Sequence, residues 1–207
     1  MSPSSAFNGS SQVVEDIKHY GIFRVDLVKS VLNVVHAEIA NHCMKIIDDS
    51  DAYTTYFSPA LNKKFMEDFP NRDRFENALS RAGDEFVAKT QRIHFARGGG
   101  HKLNYWCSVY REGDFHDSHI HRRSLISGTY YPQTGDDSAA ITFEAPYTGL
   151  TMHDSLDNSA LGFEFKPRSG DCLMWPSWLP HRVTRQEKSN VPRVAISFNI
   201  DYKYEPI

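Results

Sequence analysis

A mainly β fold, a barrel or jelly roll fronted by helices, is what the 207-residue sequence predicts, on three observations. The first half carries apolar residues at helical spacing. The second half carries short segments rich in β-branched and aromatic residues, separated by turn residues. The glycine run Gly98 to Gly100 marks the loop between the two regimes. No internal repeat, low-complexity stretch or linker divides the chain, so a single domain spanning 1–207 is expected.

The elements follow in order. The opening MSPSSAFNGSSQ, residues 1–12, is small and polar, lacks the basic start and apolar middle of a secretion signal, and reads as a disordered leader. YGIFRV, Tyr20 to Val25, alternates as a strand does. Asp26 is placed to cap a helix in which Val28, Leu32, Val35, Ile39, Cys43 and Ile46 recur at three- and four-residue spacing, ending near Asp48. Past the stop signal Pro70-Asn71, the residues Phe75, Leu79, Ala82 and Phe86 predict a second helix. Residues 13–100 thus form a helix-rich support, and 101–207 the β core. Within that core LNYWCSVY, LISGTYYP, AITFEA, LGFEFKP, DCLMWP and RVAISFNI are the expected strands. Helices that precede a sheet tend to cover one of its outer faces, which leaves the barrel mouth for chemistry.

Composition excludes several classes. With 40% hydrophobic residues and no apolar run near the ~20 needed to span a bilayer, no membrane helix is expected. A net charge of −3 removes the general attraction to phosphate backbones, so a nucleic-acid partner is not expected either. Cys43, Cys107 and Cys172 are odd in number and far apart, which fits reduced core thiols and a cytoplasmic location rather than a disulfide framework. Arg122-Arg123, beside a histidine cluster, is either a solvated loop pair or a means of neutralising an anionic substrate.

That cluster, HDSHIH from His116 to His121, is the first chemical signal. In a regular strand Asp117, His119 and His121 share a face, which sets two imidazoles side by side as a metal requires. His181 lies in WPSWLPHRV, where Pro176 and Pro180 restrict the backbone and Trp175 and Trp178 offer a dry wall. Nitrogen and oxygen ligands without thiolate suit Fe(II), with Zn, Ni or Cu as competitors. Arg193 opens the strand RVAISFNI and can return beside the metal, where its planar fork matches a carboxylate.

Taken in order, Tyr110, GDFHDSHIH, SGTYY, KPRSGDCLMWPSWLPHRV and RVAISFNI resemble the non-haem Fe(II) and 2-oxoglutarate-dependent oxygenases, in particular a bacterial and phage group related in fold to the prolyl hydroxylases. The resemblance covers roughly Leu103 to Tyr204. It implies a double-stranded β-helix, a distorted jelly roll preceded by an N-terminal helical region. It implies the cofactors Fe(II) and 2-oxoglutarate, the latter as cosubstrate, and a dioxygenase that oxidises a substrate C–H bond and releases succinate and CO2. His119 resembles the first iron ligand, His181 the last, and Arg193 the residue that grips the distal carboxylate of 2-oxoglutarate. Tyr110 and Tyr131 fall where the prolyl hydroxylases have tyrosines near the cosubstrate, Tyr131 being favoured because SGTYY alternates.

The sequence departs from the pattern in one place. Relatives carry His-x-Asp or His-x-Glu, whereas this chain has His119-Ile120-His121. Either His121 completes the metal set or Asp117 supplies a carboxylate from the other side, in which case Asp117 is more than an orienting group for a ligand imidazole. Two rival readings stand beside the oxygenase: a non-catalytic metal-binding jelly-roll module, and a three-histidine dioxygenase that does not use 2-oxoglutarate. The substrate, a small molecule or a protein side chain, is set by loops such as Thr134 to Ala139 and Tyr147 to Asn158, the second containing His153 and Asp154.

Overall fold

The computed structural model describes residues 13–17, 22–25, 36–90, 101–144 and 162–202. Within them three helices, α1 (His36–Asp48), α2 (Pro59–Glu67) and α3 (Arg72–Thr90), lie against a pair of antiparallel sheets. The ten strands are β1 (Val13–Ile17), β2 (Ile22–Val25), β3 (His101–Tyr110), β4 (His116–His119), β5 (Ile126–Gln133), β6 (Ile141–Glu144), β7 (Gly162–Phe165), β8 (Cys172–Pro176), β9 (His181–Val183) and β10 (Arg193–Tyr202). The large sheet runs β1-β2-β8-β5-β10-β3 and the small one β4-β9-β6-β7. This is the double-stranded β-helix with supporting helices.

The six strands expected in the second half all form, YGIFRV forms as β2, and the structure adds β1, β4 and β9. Of these, β1 lies in the stretch 13–100 expected to be helix-rich support; it pairs with β2, which pairs with β8, so this segment extends the large sheet. The expected first helix is seen from His36, buries Ile39, Ala40, Cys43, Ile46 and Ile47, and ends at Asp48; the earlier part of that expectation, with Asp26 and Val28 to Val35, lies outside the described residues. So do the leader 1–12 and the run Gly98 to Gly100. The second expected helix is α3, entered through Asn71 in the left-handed region at φ 53. Between them α2 was not foreseen, although its start is chemically explicit: the Ser58 hydroxyl accepts a hydrogen bond from the Leu61 N–H at 3.2 Å, and Pro59 occupies the first turn.

Side-chain alternation divides the large sheet into two faces. Tyr105, Cys107 and Val109 of β3, Ile126 and Tyr130 of β5, Cys172 and Met174 of β8, and Val194, Ile196, Phe198 and Ile200 of β10 pack with the helices in one core. The three cysteines all lie here, buried as free thiols. Tyr110, Tyr131, Leu173, Trp175 and Ala195 point the other way and join Ile141, Phe143 and Leu179 in a second core between the sheets. Gly128 of β5 faces Phe198 across the register, and a Cβ there would sit 2.2 Å from the Phe198 ring and 2.6 Å from the Leu173 carbonyl.

Candidate metal and cosubstrate site

The second core opens into a cavity of about 310 Å³ whose lining includes His119, His121, His181 and Arg193. Strand pairing sets the first contact: β4 and β9 run antiparallel with His119 directly opposite His181. Their ring centroids lie 4.3 Å apart, His121 stacks on His181 at 5.1 Å, and His121 is 5.0 Å from His119. One ligand atom from each of the three lies within 4.8 Å of the others, close enough for one ion. Among the described residues no other set of three or more histidines, cysteines or carboxylates converges in this way.

The regular-strand expectation for HDSHIH needs correction. The register shifts between His116 and His119, an irregularity of the bulge kind, and the strand ends at His119. Its extra residue reverses the alternation, so the Asp117 side chain is exposed while His116 turns into the cavity, 4.4 Å from the His119 ring and 3.2 Å from the Tyr53 hydroxyl at its Nδ1. Beyond the strand, the His121 N–H donates to the Ser177 carbonyl at 3.0 Å, which holds His121 against the loop that leads to His181. His121 also stacks on Trp106 at 5.6 Å.

Both paired histidines have their tautomer fixed in the same way. The His119 Nδ1–H donates to the Asp117 carbonyl at 2.8 Å, and the His181 Nδ1–H donates to the Leu179 carbonyl at 2.9 Å. A carbonyl can only accept, so a proton sits on Nδ1, and in the neutral ring that leaves the lone pair on Nε2. The orienting role expected of the Asp117 carboxylate is thus performed by that residue's backbone oxygen. His181 is buried beneath the edge of Trp175, at 4.8 Å, and burial, aided by the nearby His119, pushes its pKa down to about 3. His121 is pushed down to about 4, again chiefly by burial and then by His119 and His116. Near neutral pH both rings are uncharged, the form a metal binds. Trp178, expected to share the dry wall with Trp175, is 55% exposed and does not.

Arg193 begins β10, opposite Tyr110 of β3, and only 1% of its surface is exposed. Its guanidinium lies 4.7 Å from the Tyr110 ring and 4.9 Å from the Tyr131 ring. Stacking on two phenols offsets part of its desolvation, yet Nε and Nη1 have no hydrogen-bond partner, and in the same cavity the Tyr131 hydroxyl and Trp175 Nε1 are also buried and unpartnered. Burial raises both phenols, Tyr131 to about 12, with Arg193 pulling each partly back, so neither supplies a counter-charge at neutral pH. A buried cation with two idle donors in a cavity wall matches an anion, and the carboxylate of 2-oxoglutarate fits that donor set. The three imidazoles likewise fit a divalent nitrogen-loving ion such as Fe(II).

Sequence reading brought out His119, His121, His181, Arg193, Tyr110 and Tyr131, and the structure brings all six to one cavity. It set His116 on the opposite face of a regular strand, whereas His116 lines the cavity, and it did not bring out the polar residues Ser197 and Asn199 of β10 with Thr129 and Ser108 in the cavity lining. The signal for the β10 pair was present, since RVAISFNI sets Arg193, Ala195, Ser197 and Asn199 on one face and only bulky apolar residues on the other. His153 and Asp154 lie outside the described residues.

Comparison with known proteins agrees with this geometry. Residues 104–199 match the sequence profile of the family described as "Putative 2OG-Fe(II) oxygenase". Among solved structures the chain is similar to a prolyl-4-hydroxylase from Pseudomonas putida, at 13% identity and a TM-score of 0.55, with 93% of each chain covered. It is also similar to EvdO2 from Micromonospora carbonacea var. aurantiaca complexed with 2-oxoglutarate, at 12% identity and a TM-score of 0.50, covering 94% of this chain and 95% of that one. A prolyl 4-hydroxylase from Phytophthora capsici, at 10% identity and a TM-score of 0.52, is matched over 88% of this chain and 59% of its own. No curated protein matches the chain by sequence. Residues 104–199, which hold both strands of paired histidines and the arginine that opens β10, are thus the part of the chain that is similar to the 2OG-Fe(II) oxygenase family.

Proposed function

We propose that this protein is an Fe(II)- and 2-oxoglutarate-dependent dioxygenase that holds iron through His119, His121 and His181 and its cosubstrate through Arg193. The observation that carries the reading is the buried, unpartnered Nε and Nη1 of Arg193 in the same cavity as three converging imidazoles. When bound, Fe(II) and 2-oxoglutarate supply the chemistry: O2 is consumed, 2-oxoglutarate is decarboxylated to succinate and CO2, and a C–H bond of the substrate is oxidised. The chain's own contribution is placement. The Asp117 and Leu179 carbonyls hold two Nδ1 protons so that Nε2 lone pairs face one point. Arg193, fixed between Tyr110 and Tyr131, gives a carboxylate one orientation, and those rings with Trp175 exclude water around it. A dioxygenase indifferent to 2-oxoglutarate would leave the Arg193 donors idle.

An anaerobic titration with Fe(II), with and without 2-oxoglutarate, tests the reading. One iron per chain and a metal-to-ligand charge-transfer band that needs both components are expected. Iron binding without any such band would favour the metal-binding module or the direct dioxygenase.

A further inference from the structure

Beyond the histidines and Arg193, the cavity holds a cation that the chemistry above leaves unused. Arg122 lines the mouth, and among the described residues no acidic group pairs with it. The carboxylate of Glu144, at the end of β6, is engaged by Arg182 at 3.7 Å and by the Ser118 hydroxyl at 2.8 Å. Among the described residues that line the cavity there is no aspartate or glutamate at all.

Charge accounting, which rests on the oxygenase reading, shows what this implies. Three neutral imidazoles leave a divalent iron with its full charge, Arg193 adds another, and the 2-oxoglutarate dianion cancels only two of the three. One positive charge remains uncompensated in a cavity partly closed to water, and Arg122 adds a second at the entrance. Such a cavity attracts a further anion and repels a cation. The wall beside Arg122 has a different character. Trp106 is stacked on His121, and Tyr56 lies 4.8 Å from Trp106, so a continuous aromatic surface runs from the metal site to the outside, where Tyr56 is 53% exposed. The floor opposite offers the hydroxyls of Ser197 and Thr129, 3.3 Å apart, and Asn199.

We infer that the substrate is an organic anion whose carboxylate, phosphate or sulfate group is held by Arg122 while its apolar part lies along Trp106 and Tyr56. Arg122 is a specificity-determining residue, and the aromatic wall sets the path from it to the metal.

The test uses the whole protein loaded with redox-silent Zn(II) and saturating 2-oxoglutarate, so that Arg193 is occupied. Calorimetric titrations at low salt compare 3-phenylpropionate and phenyl phosphate with the uncharged 3-phenylpropionamide. The anions are expected to bind about tenfold or more tightly than the amide, with added salt eroding the difference. Which of the two binds better tells a carboxylate from a phosphate substrate. Arg122→Gln should remove most of the preference while still taking up one Zn(II) and 2-oxoglutarate. Equal binding of amide and anions, no binding of any probe at millimolar concentration, or a preference undiminished in Arg122→Gln overturns the inference and leaves the oxygenase reading standing. Failure to take up Zn(II) and 2-oxoglutarate in the first place sinks that reading, and this inference with it.

Discussion

Arg193 and the histidine tract show how much a single residue can be asked to do. Arg193→Ala is expected to lose most 2-oxoglutarate affinity, by about 2–5 kcal/mol, because the lost partner sits in a desolvated charge-assisted pair; iron uptake should persist. Arg193→Lys should recover only part, since an ammonium cannot present the planar fork. Calorimetry on the iron-loaded variants measures both, and unchanged cosubstrate affinity in the alanine variant would remove Arg193 from the site. In the tract, His121→Ala should lose iron, whereas Asp117→Ala should leave its affinity nearly unchanged, because the oxygen that orients His119 is the main-chain carbonyl that alanine retains. A large loss in Asp117→Ala with iron retained in His121→Ala would mean a carboxylate completes the set instead. That these side chains would meet was legible in the sequence, because metal and carboxylate chemistry restricts the residue types to look for, and they do line one cavity. What the sequence could not disclose was which atom of Asp117 does the orienting, or that His116 would turn inward, since both depend on one bulge.

At the scale of elements, legibility followed periodicity. Strands whose alternation is strong, such as β3, β5 and β10, were read within a few residues, and so was α3 with its Phe75, Leu79, Ala82 and Phe86 stripe. The elements around the histidines were harder to read: β4 was expected to run on as a regular strand through His121 but stops at His119, and β9, three residues long, carries no period of its own and exists through its partners. The helix α2 was missed for another reason: among its residues only Phe65 is buried, so its start is set by the Ser58 cap more than by an apolar face. Ser58→Ala should therefore cost about 1 kcal/mol in chemical denaturation. Gly128→Ala tests the sheet from the other side. Its Cβ would meet the Phe198 ring and the Leu173 carbonyl at once, and the backbone of β8 cannot yield, so about 1–3 kcal/mol of destabilisation is expected in urea unfolding. A neutral Gly128→Ala would show that β5 and β8 are farther apart than the paired register implies.

For the whole molecule, the site is a source of pH dependence. An unfolded histidine titrates near 6.5, while His181 is held at about 3 and His121 at about 4 in the fold. The unfolded chain therefore binds more protons throughout that interval, and metal-free stability is full above pH ~6.5 and lost progressively as pH falls toward the folded values. The midpoint temperature of the metal-free protein should drop across this window, and His181→Asn should flatten the drop. An identical slope in the variant would show that His181 is not the group responsible. Metal and 2-oxoglutarate, each near a hundred times its dissociation constant, should each add about 2.7 kcal/mol, and each should raise the midpoint by roughly 5–10 °C. A thermal shift with metal alone and none from 2-oxoglutarate would count against the cosubstrate. Finally, β10 has Val194, Ile196, Phe198 and Ile200 locked into the helical core while Arg193, Ala195, Ser197 and Asn199 line the cavity. One ten-residue strand thus keeps architecture and reaction on separate registers of the same backbone. Descendants of this sequence could exchange Ser197 or Asn199 to accept a new compound while the even-numbered neighbours go on being inherited unchanged, so the lineage is free to diversify its appetite without renegotiating its scaffold.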